Sequence, residues 1–346
     1  MTADSDTNAA VTGFRLPEES GPHVRTFMQW PANLQVYGDV YFLTKIQDTI
    51  ADIANTISEF EPVVMLMDNM HIGKARKKLG VGVEIWNIPT DDLWCRDSGP
   101  VFVKNGSGDM AVSQLNFNGW GNKQTHRNDG QIAERVASEL GLKVLDRGLV
   151  GEGGGVECDG EGTLIAHESS WVNSNRNTAN KDEIGQKLCH AFGMKKVVWA
   201  PGIIGQDVTD YHIDALARFT APGKIIIQLP DRVYGGDIWS RAAFETHDIL
   251  ANSTDASGRM LEITTLPEPE YPRISSPDFV ASYVNYYVCN DAVIAAQFGD
   301  PQADLKARTT LSDAFPGREV VMLNADLLGE LGGGIHCATQ QQPASV

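Results

Sequence analysis

The sequence predicts an α/β fold assembled from five similar units, and three observations carry that reading. An apolar face at helical spacing, followed by a short apolar strand, recurs five times along the 346 residues. The strands begin near residues 63, 143, 195, 261 and 319, at steps of about 50 to 80 residues. A glycine-rich or polar segment completes each unit. Such a period fits a closed ring of units around a central site. An ordinary sheet with alternating helices and strands fits the same periodicity about as well.

In the first unit Ile46, Ile50, Ile53, Ile57 and Phe60 lie on one helical face ahead of the strand VVMLM (63–67). In the second, Ile132, Val136 and Leu140 share a face, Gly141 follows, and KVLDRGLV is the strand. The third helix starts at the capping candidate Asn180, carries Ile184, Leu188 and Phe192, and stops at Gly193 before KKVVWAP. The fourth, IWSRAAFETHDILANS (238–253), leads into LEITTLP, and the fifth, DLKARTTLSDAFPG (304–317), into REVVMLNA. No low-complexity linker divides the chain. One domain over residues 1–346 is expected, with 1–14 as a flexible N-terminal tail.

A hydrophobic content of 42% is ample for a large core. The formal charge of −17 and pI near 4.8 exclude nucleic-acid binding driven by clustered Lys and Arg. Five cysteines without a CxxC pair argue against a disulfide framework and a structural zinc site. No apolar stretch approaches the roughly 18 residues that span a membrane, and MTADSDTNAAVTGF lacks the features of a signal peptide. A cytoplasmic chain with reduced thiols is expected.

The segments beside the strands hold the chemistry. DDLWCRDSGPVFV (91–103) places Asp97 in a polar turn, and GEGGGVECDGEGT (151–163) sets Glu152 before three glycines. DVTDYHIDALARF (207–219) alternates His212 and Asp214 around Ile213; on a strand, both would face one side. SYVNYYV (282–288) has no titrating acid or base. GGGIHCATQQ (332–341) puts Cys337 on a glycine approach that a packed structural cysteine would not need, but a reactive one would. Together these residues form a kit: a thiolate nucleophile, a histidine that moves protons, and carboxylates that hold a cation. Zinc held by His212, Asp214 and Cys337 is disfavoured, because a further Cys or His at normal spacing is missing.

WCRDSGPVFV, the glutamate-glycine run with DGEGT, NSNRN (173–177), DYHIDALARF, ASYVNYYV, FGD (298–300) and GGGIHCATQQQPA occur in colinear order. From Pro17 to Pro343 the chain resembles the agmatine deiminase (peptidylarginine deiminase-like) family. That family belongs to the guanidine-modifying superfamily with the five-bladed, pseudo-symmetric α/β-propeller (pentein) fold and a central active site. The resemblance implies Cys337 as nucleophile, Asp97 and Asp214 as partners of a planar cation, and His212 as proton donor and then activator of water. It implies that Glu152 and Trp94 line the pocket, that no metal or organic cofactor takes part, and that the chain forms a homo-oligomer acting on a small molecule.

The chain departs from the family pattern at several positions. Gly334 stands where an asparagine is usual, Gly155 where a serine is, Glu157 where a histidine is, and the bulky Tyr211 where a small residue is. ESGPH (19–23) lacks the family's tryptophan. Gly334 and Tyr211 are therefore expected to shape the substrate pocket. Agmatine deimination leads. A 2-nitroimidazole nitrohydrolase releasing nitrite is the alternative, followed by an amidinotransferase and a non-catalytic ligand-binding protein of the same fold.

Overall fold

The structure is a computed structural model and describes residues 13–345. It contains five separate sheets, not the single sheet that the periodicity left open. Four have three strands: Val101–Lys104, Met110–Gln114 and Lys143–Asp146; Val156–Cys158, Thr163–His167 and Lys196–Ala200; Ala217–Ala221, Lys224–Leu229 and Glu262–Pro267; Tyr287–Val288, Ala292–Ala296 and Glu319–Leu323. In each, the first pair is antiparallel and the second parallel. A parallel neighbour needs a long crossover, and a helix supplies it. This is the five-bladed α/β-propeller that the motifs imply.

The remaining blade closes the ring. Thr339–Pro343, near the C-terminus, pairs antiparallel with His23–Gln29, which runs parallel to Val63–Met67; Val83–Asn87 adds a fourth strand. All five residues of TQQQP are buried, so this strand is held by its ladder and its neighbours rather than by apolar side chains. Thr339–Pro343 packs beside Val101–Lys104, and Val156–Cys158 beside Ala217–Ala221, as first strands of blades gathered about a common centre.

The crossover helices form where the sequence caps them. Asp39 accepts from the N–H groups of Tyr41 and Phe42 to start Val40–Ile57, whose buried face is Ile46, Ile50, Ile53, Ala54 and Ile57. Asn180 caps Lys181–Phe192 through the Glu183 N–H, and Gly193, at φ +64°, ends it. Asp237 and Asp300 cap Ile238–Ala251 and Pro301–Ala314 in the same way. Each such cap stabilises its helix by about 1 kcal/mol. Each fully buried Leu or Ile adds roughly 1.5–3 kcal/mol.

Residues 1–12 of the expected tail lie outside the described residues. Its end is packed: Phe14 lies against the core of the second and third blades, and a side chain at Gly193 would come within 1.9 Å of its carbonyl oxygen. His212 and Asp214, which would share a face if their segment were a strand, lie instead at a helical turn, Ile213–Ala215, entered from left-handed Asp210 (φ +59°) and Tyr211 (φ +67°). A left-handed pair breaks an extended run, so the strand begins later, at Ala217.

Candidate active site

One side chain or pair comes from the turn that enters the first strand of each blade. The helical turn Cys95–Ser98 presents Asp97, the turn Gly153–Gly155 follows Glu152, and Ile213–Ala215 holds Asp214 just after His212. Asn285 precedes Tyr287–Val288, and Cys337 precedes Thr339–Pro343. Equivalent positions of five blades thus converge on one place.

Cys337 Sγ lies 3.5 Å from Asp214 Oδ2 and receives a hydrogen bond from Asn285 Nδ2 at 3.2 Å. The Cys337 N–H donates to Asn285 Oδ1 at 3.2 Å, so one amide grips both backbone and sulfur. The Arg96 N–H donates to the Cys337 carbonyl at 3.0 Å and ties the Asp97 turn to the cysteine turn. Asp97 is itself oriented by the Trp120 indole N–H at 2.8 Å and the Gly154 N–H at 3.1 Å. His212 Nε2 is 3.1 Å from Glu152 Oε2, and its Nδ1 is 3.5 Å from Asp97 Oδ1. Both oxygens of Glu152 accept from Arg176 Nε, at 2.8 and 2.9 Å.

The glycines have a steric reason. A Cβ on Gly154 would lie 2.8 Å from Asp97 Oδ1, 2.8 Å from His212 Nδ1 and 3.1 Å from Asp214 Oδ2. Three functional groups therefore converge on the point where only glycine leaves room. A Cβ on Gly333 would meet the Trp94 ring at 2.5 Å, and one on Gly334 would meet Asn285 Oδ1 at 2.5 Å. The run GGG thus lets the cysteine turn pass between Trp94 and Asn285.

Electrostatics separate the roles. Burial pushes the Cys337 thiol well above its ordinary range, and Asp214 and Asp97 push it further. Burial raises the Asp97 carboxyl to about 6, opposed by His212 and reinforced by Asp214 and Glu152. Burial acts to depress His212, but Asp97 and Glu152 outweigh it and the imidazole titrates at about 9. For Asp214, burial acts upward, yet the hydrogen bond and charge of His336 hold its carboxyl below the ordinary range. Asp214 is fully buried, and its Oδ1 has no hydrogen-bond partner among the described residues.

Behind these groups lies a second charged cluster. His336 bridges Asp214 to Glu19, which also meets Arg96 Nη2 at 3.1 Å and Arg218 Nη2 at 3.0 Å. Arg218, 1% exposed, also contacts Glu157 at 2.9 Å and lies over the Tyr286 ring. Glu19, Arg96, Glu157 and His336 line a cavity of about 40 Å³ on that side.

The structure brings Cys337, His212, Asp97 and Asp214 together, with Glu152 directly behind His212 and the half-buried Trp94 against the cysteine turn. Gly334 lies beside Asn285. Tyr211 is not brought in: its ring stacks on His167 at 4.7 Å and meets Trp239 edge-on, pointing into the core of the fourth blade. Its left-handed backbone turns the side chain away from that of His212. The serine position now held by Gly155 sits under Trp171, whose indole N–H donates to the Gly155 carbonyl at 2.7 Å. Reading the sequence missed Asn285, Trp120, His336 and Glu19. The aromatic segment around Asn285, falling where every other unit carries a functional group, was the available signal.

The Porphyromonas-type peptidyl-arginine deiminase family model matches residues 15–343. The chain belongs to this family. A Streptomyces coelicolor relative, assigned as an agmatine deiminase, is 35% identical over 339 residues, covering 95% of this chain and 99% of that one. A Listeria monocytogenes relative with the same assignment is 35% identical over 364 residues, covering 96% and 95%. Among solved structures, an agmatine deiminase of Enterococcus faecalis superposes with a TM-score of 0.90 at 27% identity, covering 100% of both chains. The family's propeller therefore extends over the whole described chain. Nothing in these relatives favours the nitroimidazole alternative.

Proposed function

We propose that this chain is an agmatine deiminase-like cysteine hydrolase that cleaves a guanidino C–N bond, turning agmatine and water into N-carbamoylputrescine and ammonia. The observation that carries the reading is Asp214: a fully buried carboxylate with Oδ1 unpartnered among the described residues and Oδ2 3.5 Å from the cysteine sulfur. A buried carboxylate oxygen without a donor is costly. A guanidinium laid between Asp214 and Asp97 supplies N–H donors and a balancing charge, and presents its carbon to Sγ.

The steps follow from the electrostatics. Between two carboxylates the thiol keeps its proton; a bound cation offsets them and lets the thiol ionise, releasing that proton to solvent. The thiolate then forms a bond to the guanidino carbon. His212, protonated at neutral pH and oriented by Glu152, gives its proton to the departing nitrogen, and the C–N bond breaks to release ammonia. The neutral imidazole next takes a proton from water as its oxygen bonds to the carbon. The C–S bond breaks, the remaining hydroxyl proton passes to solvent, and the product leaves as a neutral substituted urea; the freed thiolate, again between two carboxylates, takes a proton back from solvent. Asp97 and Asp214 hold charge near the reacting carbon throughout. The reading takes the chain as one domain with a small-molecule substrate, and its five unpaired cysteines support the expected cytoplasmic location.

The test is a paired assay on purified protein: ammonia and N-carbamoylputrescine from agmatine, and nitrite from 2-nitroimidazole. Ammonia matched by N-carbamoylputrescine, without nitrite, is the expected result. Nitrite with no ammonia, or neither product, overturns the reading.

A further inference from the structure

His336 is buried, and both of its ring nitrogens meet carboxylates. Nδ1 is 2.7 Å from Asp214 Oδ2, and Nε2 is 2.8 Å from Glu19 Oε2. An ionised carboxylate can only accept, so each nitrogen has to bring its own proton. Glu19 is ionised because two guanidiniums, Arg96 and Arg218, lie within 3.1 Å and the Val288 N–H donates to it at 3.1 Å. Burial alone would push the Glu19 carboxyl up, but Arg218, His336 and Arg96 bring it well below the ordinary range.

Resting on the deiminase reading, we propose that His336 is a positioning residue: a fixed imidazolium, held doubly protonated by Glu19, that keeps Asp214 ionised and turned toward the substrate cation. Asp214 needs such a partner. It is fully buried and shares its surroundings with Asp97, so burial and like charge both favour its neutral form. A neutral Asp214 would lose most of its attraction for a guanidinium. The hydrogen bond to His336 uses Oδ2 and leaves Oδ1 for the ligand.

The surroundings of both groups fit this role. His336 faces Asp214, Glu19 and, at 3.9 Å, Glu157, and Arg96 Nε donates to its carbonyl. Asp214 faces His336, Cys337, His212, Arg218 and Asp97. Glu19 arrives from the N-terminal segment, 317 positions before His336, so the segment entering the ring-closing blade reaches Asp214 through the His336 imidazole.

The test combines imidazole ¹⁵N NMR of histidine-labelled protein with agmatine kinetics, on the parent, His336→Phe and His336→Gln. The parent is expected to show a doubly protonated ring at neutral pH that His336→Phe lacks. Asp97, at about 6, is expected to set the acid limb of kcat/KM in the parent. In either variant Asp214 joins that titration. The limb then steepens and moves up by about one pH unit, and KM rises about tenfold or more, as removal of an adjacent opposite charge dictates. A singly protonated His336 in the parent overturns the proposal. So does a folded His336→Gln whose acid limb keeps its position and steepness. If the parent releases no ammonia from agmatine, the substrate reading fails by itself, and the NMR still decides the state of His336.

Discussion

Behind Cys337, Glu19 and Glu157 are met by Arg96 and Arg218; in front of it, Asp97 and Asp214 are met by the imidazoles of His212 and His336 and by the thiol. Both clusters are buried and both are ionic, yet only the rear one has arginines against its acids. At the front one carboxylate oxygen, Asp214 Oδ1, is left without a donor among the described residues, where the proposed guanidinium lies. Leaving a buried carboxylate oxygen without a donor is costly, so the front is sensible only when a ligand completes it. The rear has the opposite logic, since its compensation is internal and permanent. Under the proposed function, the difference separates residues that act on substrate from residues that hold the ring's centre together.

The largest expected effect comes from removing charge at the front. Asp97→Asn and Asp214→Asn should each lower kcat/KM for agmatine by about a hundredfold or more, with circular dichroism and melting temperature nearly unchanged. A full loss of fold in either variant would place the front carboxylates with the rear ones and erase the contrast.

Filling the convergence point should have a comparable but purely steric consequence. Gly154→Ala puts a methyl within 2.8 Å of Asp97 and His212, and activity should fall at least about tenfold, as read by ammonia release. Activity within twofold of the parent would show that this point is not where the reacting group sits.

Removing charge at the rear should act on stability. Arg218→Met leaves Glu19 and Glu157 buried against too little positive charge, and breaking such a network costs about 3–5 kcal/mol. Denaturant unfolding at neutral pH measures it. A variant as stable as the parent would mean that the rear cluster is not self-compensated.

The smallest expected effect is a pH trend. Folded His212 titrates at about 9, above the roughly 6.5 of a free imidazole. Its pairing therefore stabilises the fold fully below about pH 6.5, and that contribution is lost as pH rises through about 9. The melting temperature of the parent should decline over that window more steeply than that of His212→Gln, and parallel curves would contradict the assignment.

The fold was legible because its units repeat a physical pattern. Five apolar helix faces, the cap at Asn180 and the stop at Gly193 can be read directly, and each crossover strand falls where its apolar run does. The ring-closing strand was not, since TQQQP has no apolar alternation and owes its burial to neighbours far away in sequence. In the site, the groups with distinctive chemistry could be picked out: Cys337, His212, Asp97, Asp214 and Glu152. Asn285 escaped because an amide between tyrosines carries no chemical flag. Glu19 and His336 escaped for another reason, because only closure of the ring brings them together. Tyr211 misled, since its size suggested the pocket while its backbone turns the ring toward Trp239.

In the proposed reaction a thiolate at Cys337 makes and breaks the bond to carbon. Ammonia release from agmatine by Cys337→Ala, set against the parent under identical conditions, tests it most directly. The expected rate is at least about a thousandfold lower, in a protein that still folds and still binds agmatine. A variant that retains a rate within about tenfold of the parent would contradict it.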